Sequence, residues 1–223
     1  MFLIIDTSAS KTLIALADAK KVIDSEIWEA GRNLSIDLLP KIDALLEKNA
    51  ISGEELESLV VLSGPGSYTG LRIGVTLVNA LGFAWKISVK GVNRFEAWEN
   101  FYDIKAAAGE SIILDADHEK IFMRLSKVAP ENSFWIGLPH ENSEIIEKFY
   151  KIYTDLSEEA VKNIRSINSS AEILNVSREE QDVLESIRLA ALKQKDMKNF
   201  EAVQPLYIRP PAITPKKDVP KHK

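Results

Sequence analysis

Residues 63–74, Ser-Gly-Pro-Gly-Ser-Tyr-Thr-Gly-Leu-Arg-Ile-Gly, form a glycine-rich elbow between two apolar stretches. The run at 59–62 predicts a buried strand, and the stretch from 71 to 85 predicts a helix. Glycine permits positive φ and close backbone approach, and the N–H groups at a helix start favour anions. A plain strand-to-helix turn needs one or two glycines. The density of glycines and hydroxyls therefore indicates contact with a ligand or with another chain.

Short apolar segments around the elbow predict a ribonuclease-H-like order of elements. The apolar residues of 34–46 recur at helical spacing, with a helix that either begins near Pro40 or is kinked there. A capping-box pattern at 52–55 predicts a short helix. We expect strands at 2–5, 12–17, 22–28, 59–62 and 87–92 and helices at 34–48, 71–85 and 94–102. The order β-β-β-α-β-α-β-α predicts an α/β fold, a mixed sheet with helices on both faces.

The chain then repeats the beginning of that pattern. Residues 111–116 and 120–127 predict a strand pair, and residues 134–138 a third strand. Further helices are expected at 141–150 and at 178–197, the second after a capping-box pattern at 177–180. We therefore expect a first domain over 1–104, a smaller α/β domain over 105–209, and a mobile tail rich in proline and lysine over 210–223.

The composition is that of an ordinary soluble protein and restricts the possible functions. The net charge is −5, so binding of nucleic acid through a strongly basic body is not expected. The chain has no cysteine, which excludes disulfides and thiolate sites. No apolar run approaches the roughly 18 residues of a membrane helix, and Asp6 interrupts the first apolar run too early for a signal peptide. We expect a cytoplasmic protein without a membrane partner.

Four motifs together resemble the bacterial TsaB family, also called YeaZ. They are Asp6-Thr7-Ser8 after the first strand, GPGSYTGLRIG at 64–74, Gly91-Val92 before a helix, and LYIRPP at 206–211. The resemblance runs through nearly the whole chain, and the elbow is its most specific part. It implies the fold of the actin, Hsp70 and sugar-kinase (ASKHA) superfamily, which is built from two ribonuclease-H-like halves.

The resemblance also implies a function. It implies a non-catalytic subunit that binds and activates the paralogous threonylcarbamoyltransferase TsaD and works with the ATPase TsaE. The product is threonylcarbamoyladenosine beside the anticodon of tRNA, which the subunit meets indirectly through the complex. No cofactor of its own is implied, and ATP or ADP belongs to the heteromeric complex. The alternative is an independent ATP-dependent phosphotransferase or ATPase of the same superfamily.

The candidate ligand site is a vestigial nucleotide site. In ATP-using relatives an aspartate at the position of Asp6 holds hydrated magnesium, and neighbouring hydroxyls face phosphates. The alternative is that residues 6–8 only turn the strand end. Leu34 stands where many family members have histidine, and 115–117 lacks the glycine of active phosphotransferases. The candidate residues are Asp6, Thr7, Ser8, Gly64, Gly66, Ser67, Thr69 and Arg72.

Other enzyme classes lack part of their machinery in this sequence. A two-metal nuclease needs converging carboxylates, but the fourth strand ends in Ser-Gly. A zinc protease needs paired histidines, whereas His118, His140 and His222 are far apart. A serine nucleophile in the elbow has no histidine with a sequence reason to reach it. We expect no catalytic residue and no metal site.

The helices at 34–48 and 71–85 are the candidate partner surface. The second is apolar around most of its circumference, so more than one side must be covered. The other domain is one possible cover. The family resemblance favours helices of TsaD, and a homodimer would cover the same face when the chain is alone. The candidate interface residues are Leu38, Ile42, Gly70, Ile73, Gly74, Leu77 and Leu81.

Overall fold

Two five-stranded mixed sheets flanked by helices make up the computed structural model of the chain. The structure describes residues 1–105, 109–116, 119–124, 134–177, 179–194 and 200–208. The predicted tail at 210–223, most of the expected domain boundary, Asp117 and two histidines, His118 and His222, lie outside the described residues.

The first sheet confirms the predicted meander and crossovers. Its strands are β1 (Phe2–Asp6), β2 (Lys11–Ala17), β3 (Val22–Glu29), β4 (Ser58–Gly64) and β5 (Ser88–Asn93), in the order β3-β2-β1-β4-β5. The pairs β1–β2 and β2–β3 are antiparallel, whereas β4 is parallel to β1 and β5. Both β1 and β4 are buried along their whole length, as continuous apolar runs in a central position should be.

Three helices follow strands of the first sheet: α1 (Leu34–Lys48), α2 (Tyr68–Trp85) and α3 (Arg94–Phe101). Helices α1 and α2 pack on one face of the sheet, in a cluster with Leu3, Ile5 and Val61. Helix α1 has the predicted bounds 34–48 and begins six residues before Pro40, which rules out the alternative of a start near the proline. Helix α2 begins at Tyr68 rather than at 71, and the predicted capping box caps the 3₁₀ turn Gly53–Glu55.

The second sheet repeats the topology of the first. Its strands are β6 (Glu110–Asp115), β7 (Ile121–Arg124), β8 (Phe134–Gly137), β9 (Lys151–Thr154) and β10 (Glu172–Asn175), in the order β10-β9-β6-β7-β8. The predicted hairpin and third strand are confirmed. The helix predicted at 141–150 is confirmed only in part, as the 3₁₀ turn Pro139–Asn142 followed by the four-residue helix α4 (Ser143–Ile146). After α4, the Asn168 amide donates to the Ile146 and Phe149 carbonyls and so satisfies two acceptors of this segment.

The last two helices differ in which sheet they cover. Helix α5 (Glu158–Ile167) packs in the core of the second sheet, through Ile164. Helix α6 (Glu180–Lys193) places Leu184 and Ile187 against the other face of the first sheet, beside α3. The capping box expected at 177–180 does not cap α6, whose N-cap is Glu179 without a side-chain cap. Within the part of the chain that is described, no helix combines the length and apolarity needed to cross a membrane.

Candidate functional site

A cleft of about 1290 Å³ lies between the two sheets, at the carboxyl ends of β1, β6 and β9. The carboxyl ends of parallel strands are where open α/β sheets hold ligands. Asp6, Asp115 and Asp155 follow or end these strands and line the cleft. Six of the eight candidate nucleotide residues line it as well, namely Asp6, Thr7, Ser8, Gly66, Ser67 and Thr69, whereas Gly64 and Arg72 do not.

Asp6 is buried at the cleft floor. Its Oδ1 accepts a hydrogen bond from the Ser8 backbone N–H at 2.8 Å. Burial raises the pKa of the Asp6 carboxyl, and the Ser8 hydrogen bonds and the Arg94 charge lower it only in part. Desolvation thus favours the protonated form, whereas a carboxylate that holds a hydrated cation must be ionised.

The hydroxyls beside Asp6 bind the chain's own backbone. Thr7 Oγ1 donates to the Gly70 carbonyl at 2.8 Å, and Ser67 Oγ accepts from the Gly70 N–H at 3.2 Å. The Ser67 N–H donates to the Ser8 carbonyl at 2.7 Å. The Ser67 N–H, the Gly70 N–H and the Thr7 hydroxyl, three donors that a bound phosphate could use at the start of α2, therefore all donate within the chain.

The elbow glycines make room for the same strand end and for the C-terminal segment. A Cβ at Gly66 would lie 2.5 Å from the Ser8 carbonyl oxygen, and one at Gly70 or Gly74 would collide with Thr7. Gly64 has φ +125°, which only glycine adopts readily, and its Cβ would meet the Leu206 carbonyl at 2.8 Å. Close approach within the chain thus accounts for the density of glycine in the elbow.

The exposed end of the elbow carries an aromatic cluster. The Tyr68 ring packs on the Tyr207 ring with centroids 4.7 Å apart, and the Arg72 guanidinium lies 5.7 Å from the Tyr68 centroid. Burial raises the pKa of the Tyr207 hydroxyl, which keeps it protonated. Thr69 is exposed in the first turn of α2.

Two ion pairs that sequence reasoning missed cross the cleft. Arg94, which follows β5, bonds to Asp155, which follows β9, at 2.7 Å. The Asp155 carboxylate also accepts the Asp115 backbone N–H at 2.6 Å. It therefore links the carboxyl ends of β6 and β9. At the rim, Lys11 pairs with Glu180. In the sequence, these four residues show only as charged residues, and nothing there indicates which of them form pairs.

Most of the candidate interface residues lie in the chain's own core. Leu38, Ile42 and Leu81 pack between the helices and the first sheet, and Gly70 and Gly74 contact Thr7. Ile73 and Leu77 are half-buried. The exposed apolar residues of the same two helices are others: Ile36 (69% exposed), Leu39 (39%) and Phe83 (73%). A substitution at Gly74 would therefore disturb the packing against Thr7 and would not report on a partner surface.

Groups for metal or nucleophilic chemistry do not assemble among the described residues. No set of three or more histidine, aspartate or glutamate side chains there is placed to hold a metal ion. His140 lies in a 3₁₀ turn of the second half. Ser63 Oγ donates to the Val92 carbonyl at 3.2 Å, which directs the hydroxyl into the sheet.

Two sheets of the same strand order face one cleft, which confirms the predicted α/β fold of two similar halves. Two solved structures have the same fold. One is described as an uncharacterized protein with similarity to peptidase YeaZ from Pseudomonas aeruginosa, with TM-score 0.65, 18% identity, and 93% of this chain and 99% of that chain covered. The other is YeaZ from Pseudomonas aeruginosa, with TM-score 0.58, 18% identity, and 83% and 89% covered.

Sequence comparisons point in the same direction. The family TsaD, tRNA N6-adenosine threonylcarbamoyltransferase, matches residues 27–131. TsaB of Bacillus subtilis is 38% identical over 42% of this chain and 41% of the relative. TsaB of Buchnera aphidicola is 29% identical over 45% and 50%, and a tRNA N6-adenosine threonylcarbamoyltransferase of Anaeromyxobacter dehalogenans is 36% identical over 30% and 20%.

The matched segments therefore span half or less of these three curated relatives. The TsaB names and the YeaZ-like fold support the TsaB (YeaZ) family for this chain, the family that the sequence motifs predict.

Proposed function

We propose that this chain is a non-catalytic subunit in the synthesis of threonylcarbamoyladenosine in tRNA. It binds and activates a TsaD transferase and works with TsaE, and ATP or ADP is held by the heteromeric complex. The TsaB-named relatives and the match to the TsaD family support a role in this pathway. Such a role places the chain in the cytoplasm.

One observation carries the proposal: the outer surface of α1 and α2 exposes large apolar side chains. Ile36 and Leu39 on α1 and Phe83 on α2 are exposed, and Leu77 is half-buried on α2. We call these four residues the outer helical surface. An apolar face of this kind on a helix pair is typical of a surface that another protein covers. A helix pair of a paralogous partner would complete a four-helix bundle, and a second copy of this chain would cover the surface in the partner's absence.

The cleft supports a binding subunit better than an enzyme. The Ser67 N–H donates to the Ser8 carbonyl, the Thr7 hydroxyl donates to the Gly70 carbonyl, and burial favours a neutral Asp6. The cleft volume and Asp6 itself favour the second candidate, an ATP-dependent phosphotransferase. Calorimetric titration with magnesium-ATP separates the two: micromolar binding with turnover that is lost in Asp6→Ala would favour the enzyme.

The test is reconstitution with TsaD and TsaE of the same organism. Transfer to tRNA is expected to require this chain, and Phe83→Glu should abolish the heterodimer in size-exclusion chromatography. Leu192→Glu is the matched control, because Leu192 is exposed (42%) on α6, away from the outer helical surface. Full transfer without the chain, or an unchanged complex with Phe83→Glu, would overturn the proposal.

A further inference from the structure

Residues 200–208, which we call the C-terminal strap, run from the outer helical surface to the cleft. At the first end, the Phe200 ring meets the Phe83 ring edge-on, with centroids 6.1 Å apart. At the other end, residues 206–208 line the cleft. One segment therefore contacts both the surface that we assign to the partner and the site between the two halves.

The strap joins the two halves of the chain. Val203 packs against the core of the first sheet, whereas Ile208 packs against a cluster that includes Leu114 of the second sheet. The Val203 N–H donates to the Asn79 side chain, and the Val203 carbonyl accepts from the Asn79 amide, both at 2.9 Å. The docked strap therefore ties the second half to the first at one end of the cleft.

Two glycines of the first half make room for the strap. A Cβ at Gly91 on β5 would lie 2.6 Å from a methyl group of Val203, and the next nearest atoms also belong to Val203. A Cβ at Gly82 on α2 would lie 3.2 Å from the Phe200 ring. The strap thus occupies a groove whose floor leaves no space for a side chain at either glycine.

The strap lacks the regular backbone pairing of the elements on which it lies. Residues 200–208 form neither helix nor strand, and none of them is fully buried. The exposed ones are Glu201, Ala202, Gln204 and Tyr207. Segments with few buried contacts open locally at a lower cost in free energy than global unfolding. Release of the strap from its groove is therefore expected to leave both sheets folded.

We propose that the strap is a releasable clasp, which closes one end of the cleft when docked and which a partner on the outer helical surface holds in place. A partner that covers Phe83 lies beside Phe200 only while the strap is docked. Such a partner favours the docked strap, because a ligand shifts a conformational equilibrium by its difference in affinity for the two states. The inference rests on the proposed function for the partner, and it adds a conformational link between that partner and the cleft.

The test follows hydrogen exchange of the strap amides by mass spectrometry, in the full chain alone and in complex with TsaD. Gly91→Ala places a methyl group against Val203 and should speed strap exchange in the free chain about tenfold. A double variant with Val203→Ala leaves the new Cβ 3.6 Å from the Cβ of residue 203, an ordinary van der Waals distance. Its exchange should return to within about threefold of the wild-type rate. Binding of TsaD should slow strap exchange in the wild-type chain about tenfold.

Opening of the cleft is measured as a distance between two spin labels. The chain has no cysteine, so Lys20→Cys in the first half and Asn163→Cys in the second each carry one label. Both positions are exposed. Gly91→Ala should broaden the distribution of distances between the labels, because the released strap no longer ties the halves together, and the double variant should restore it.

Wild-type exchange in the Gly91→Ala variant would overturn the clasp. Equally fast exchange in the single and the double variant would also overturn it, by showing that the substitution disturbs β5 and not the strap. An unchanged distance distribution with a released strap would overturn its role at the cleft. Strap exchange that TsaD leaves unchanged, in a complex that forms, would overturn the link to the partner. The proposed function fails separately, if TsaD does not bind the wild-type chain or if transfer does not require this chain.

Discussion

The two halves share one strand order but differ in the helices that follow equivalent strands. After β3 the first half has α1, with 15 residues, where the second half has α4, with 4. After β4 it has α2, with 18 residues, where the second half has α5, with 10. The exposed residues of α5 are all polar, namely Glu158, Glu159, Lys162, Asn163, Arg165 and Ser166.

The exposed residues of α2 are largely small or apolar, namely Thr69, Arg72, Thr76, Ala80, Phe83 and Ala84. The strand order that the two halves share therefore does not by itself determine which half binds a partner. The sheet requires one apolar face on each helix, and both halves supply it. Of the two equivalent helices, α2 and not α5 exposes apolar side chains away from its own sheet, and this difference locates the surface that we assign to the partner.

The largest effect is expected from a change in the elbow, which the second half lacks. Gly74→Arg should lower the free energy of unfolding by about 3 kcal/mol or more, because its Cβ would collide with the Thr7 side chain. Thr76→Arg on the exposed side of α2 should change it by less than about 0.5 kcal/mol. Urea denaturation measures both, and equal stability of the two variants would contradict the packing described for the elbow.

The next prediction compares substitutions on the exposed faces of α2 and α5 by their effect on affinity for TsaD. Ala80→Glu should weaken the heterodimer with TsaD about a hundredfold, because an unpaired charge is buried in an apolar interface. Asn163→Glu, at an exposed position of α5, should leave affinity unchanged. Titration calorimetry of the two variants against TsaD distinguishes the faces, and a larger loss with the α5 variant would move the interface to the second half.

A smaller effect is expected at the two ion pairs that cross the cleft. Arg94→Gln should lower the free energy of unfolding by about 1–2 kcal/mol, because Arg94 and Asp155 are partly buried. Lys11→Gln removes a more exposed pair and should lower the free energy of unfolding by less than Arg94→Gln does. Thermal unfolding at low and high salt is the measurement, and a larger effect at Lys11 would contradict the ranking by burial.

The smallest effect concerns Asp6 and depends on pH. Its pKa is raised in the folded chain above the ordinary value of 3.8, so the native state retains a proton that the unfolded chain has released. Native stability therefore falls as pH rises above about 4, until the folded pKa is passed. Asp6→Asn removes this loss and keeps an oxygen that accepts the Ser8 N–H, so Tm should rise more at pH 7 than at pH 4.

Asp43→Asn, at an exposed position of α1, is the control for that pH dependence and should not reproduce it. An equal gain in Tm for Asp6→Asn at both pH values would contradict a pKa of Asp6 that is raised by burial.

Long or strongly patterned segments made most of the fold predictable from sequence. The apolar runs of β1 and β4 and the repeated strand-hairpin pattern gave both sheets their central strands. Strands β9 and β10 were not predicted, because each has polar residues at both ends and only two apolar residues between them. Helix α6 was predicted, but its packing on the first sheet depends on contacts far apart in the chain, such as Leu184 with Val60 and Leu62 in one cluster.

The candidate site was predictable in position more than in detail. The elbow was identified from its glycines, yet the groups that fill the space beside them, Thr7, Ser8 and Leu206, are brought there by tertiary folding. The pair Arg94–Asp155 joins residues 61 positions apart, which no local pattern encodes. Leu38 and Ile42 were assigned to a partner because apolar periodicity identifies a buried face without showing what buries it.

The most direct test of the central claim is a titration of this chain into a fixed amount of TsaD, TsaE and tRNA. The rate of threonylcarbamoyl transfer is measured with the wild-type chain and with Phe83→Glu. If α1 and α2 join the chain to its partner, the variant should reach the same maximal rate at a concentration at least about tenfold higher. A half-maximal concentration equal to that of the wild-type chain would show that this surface does not bind the partner.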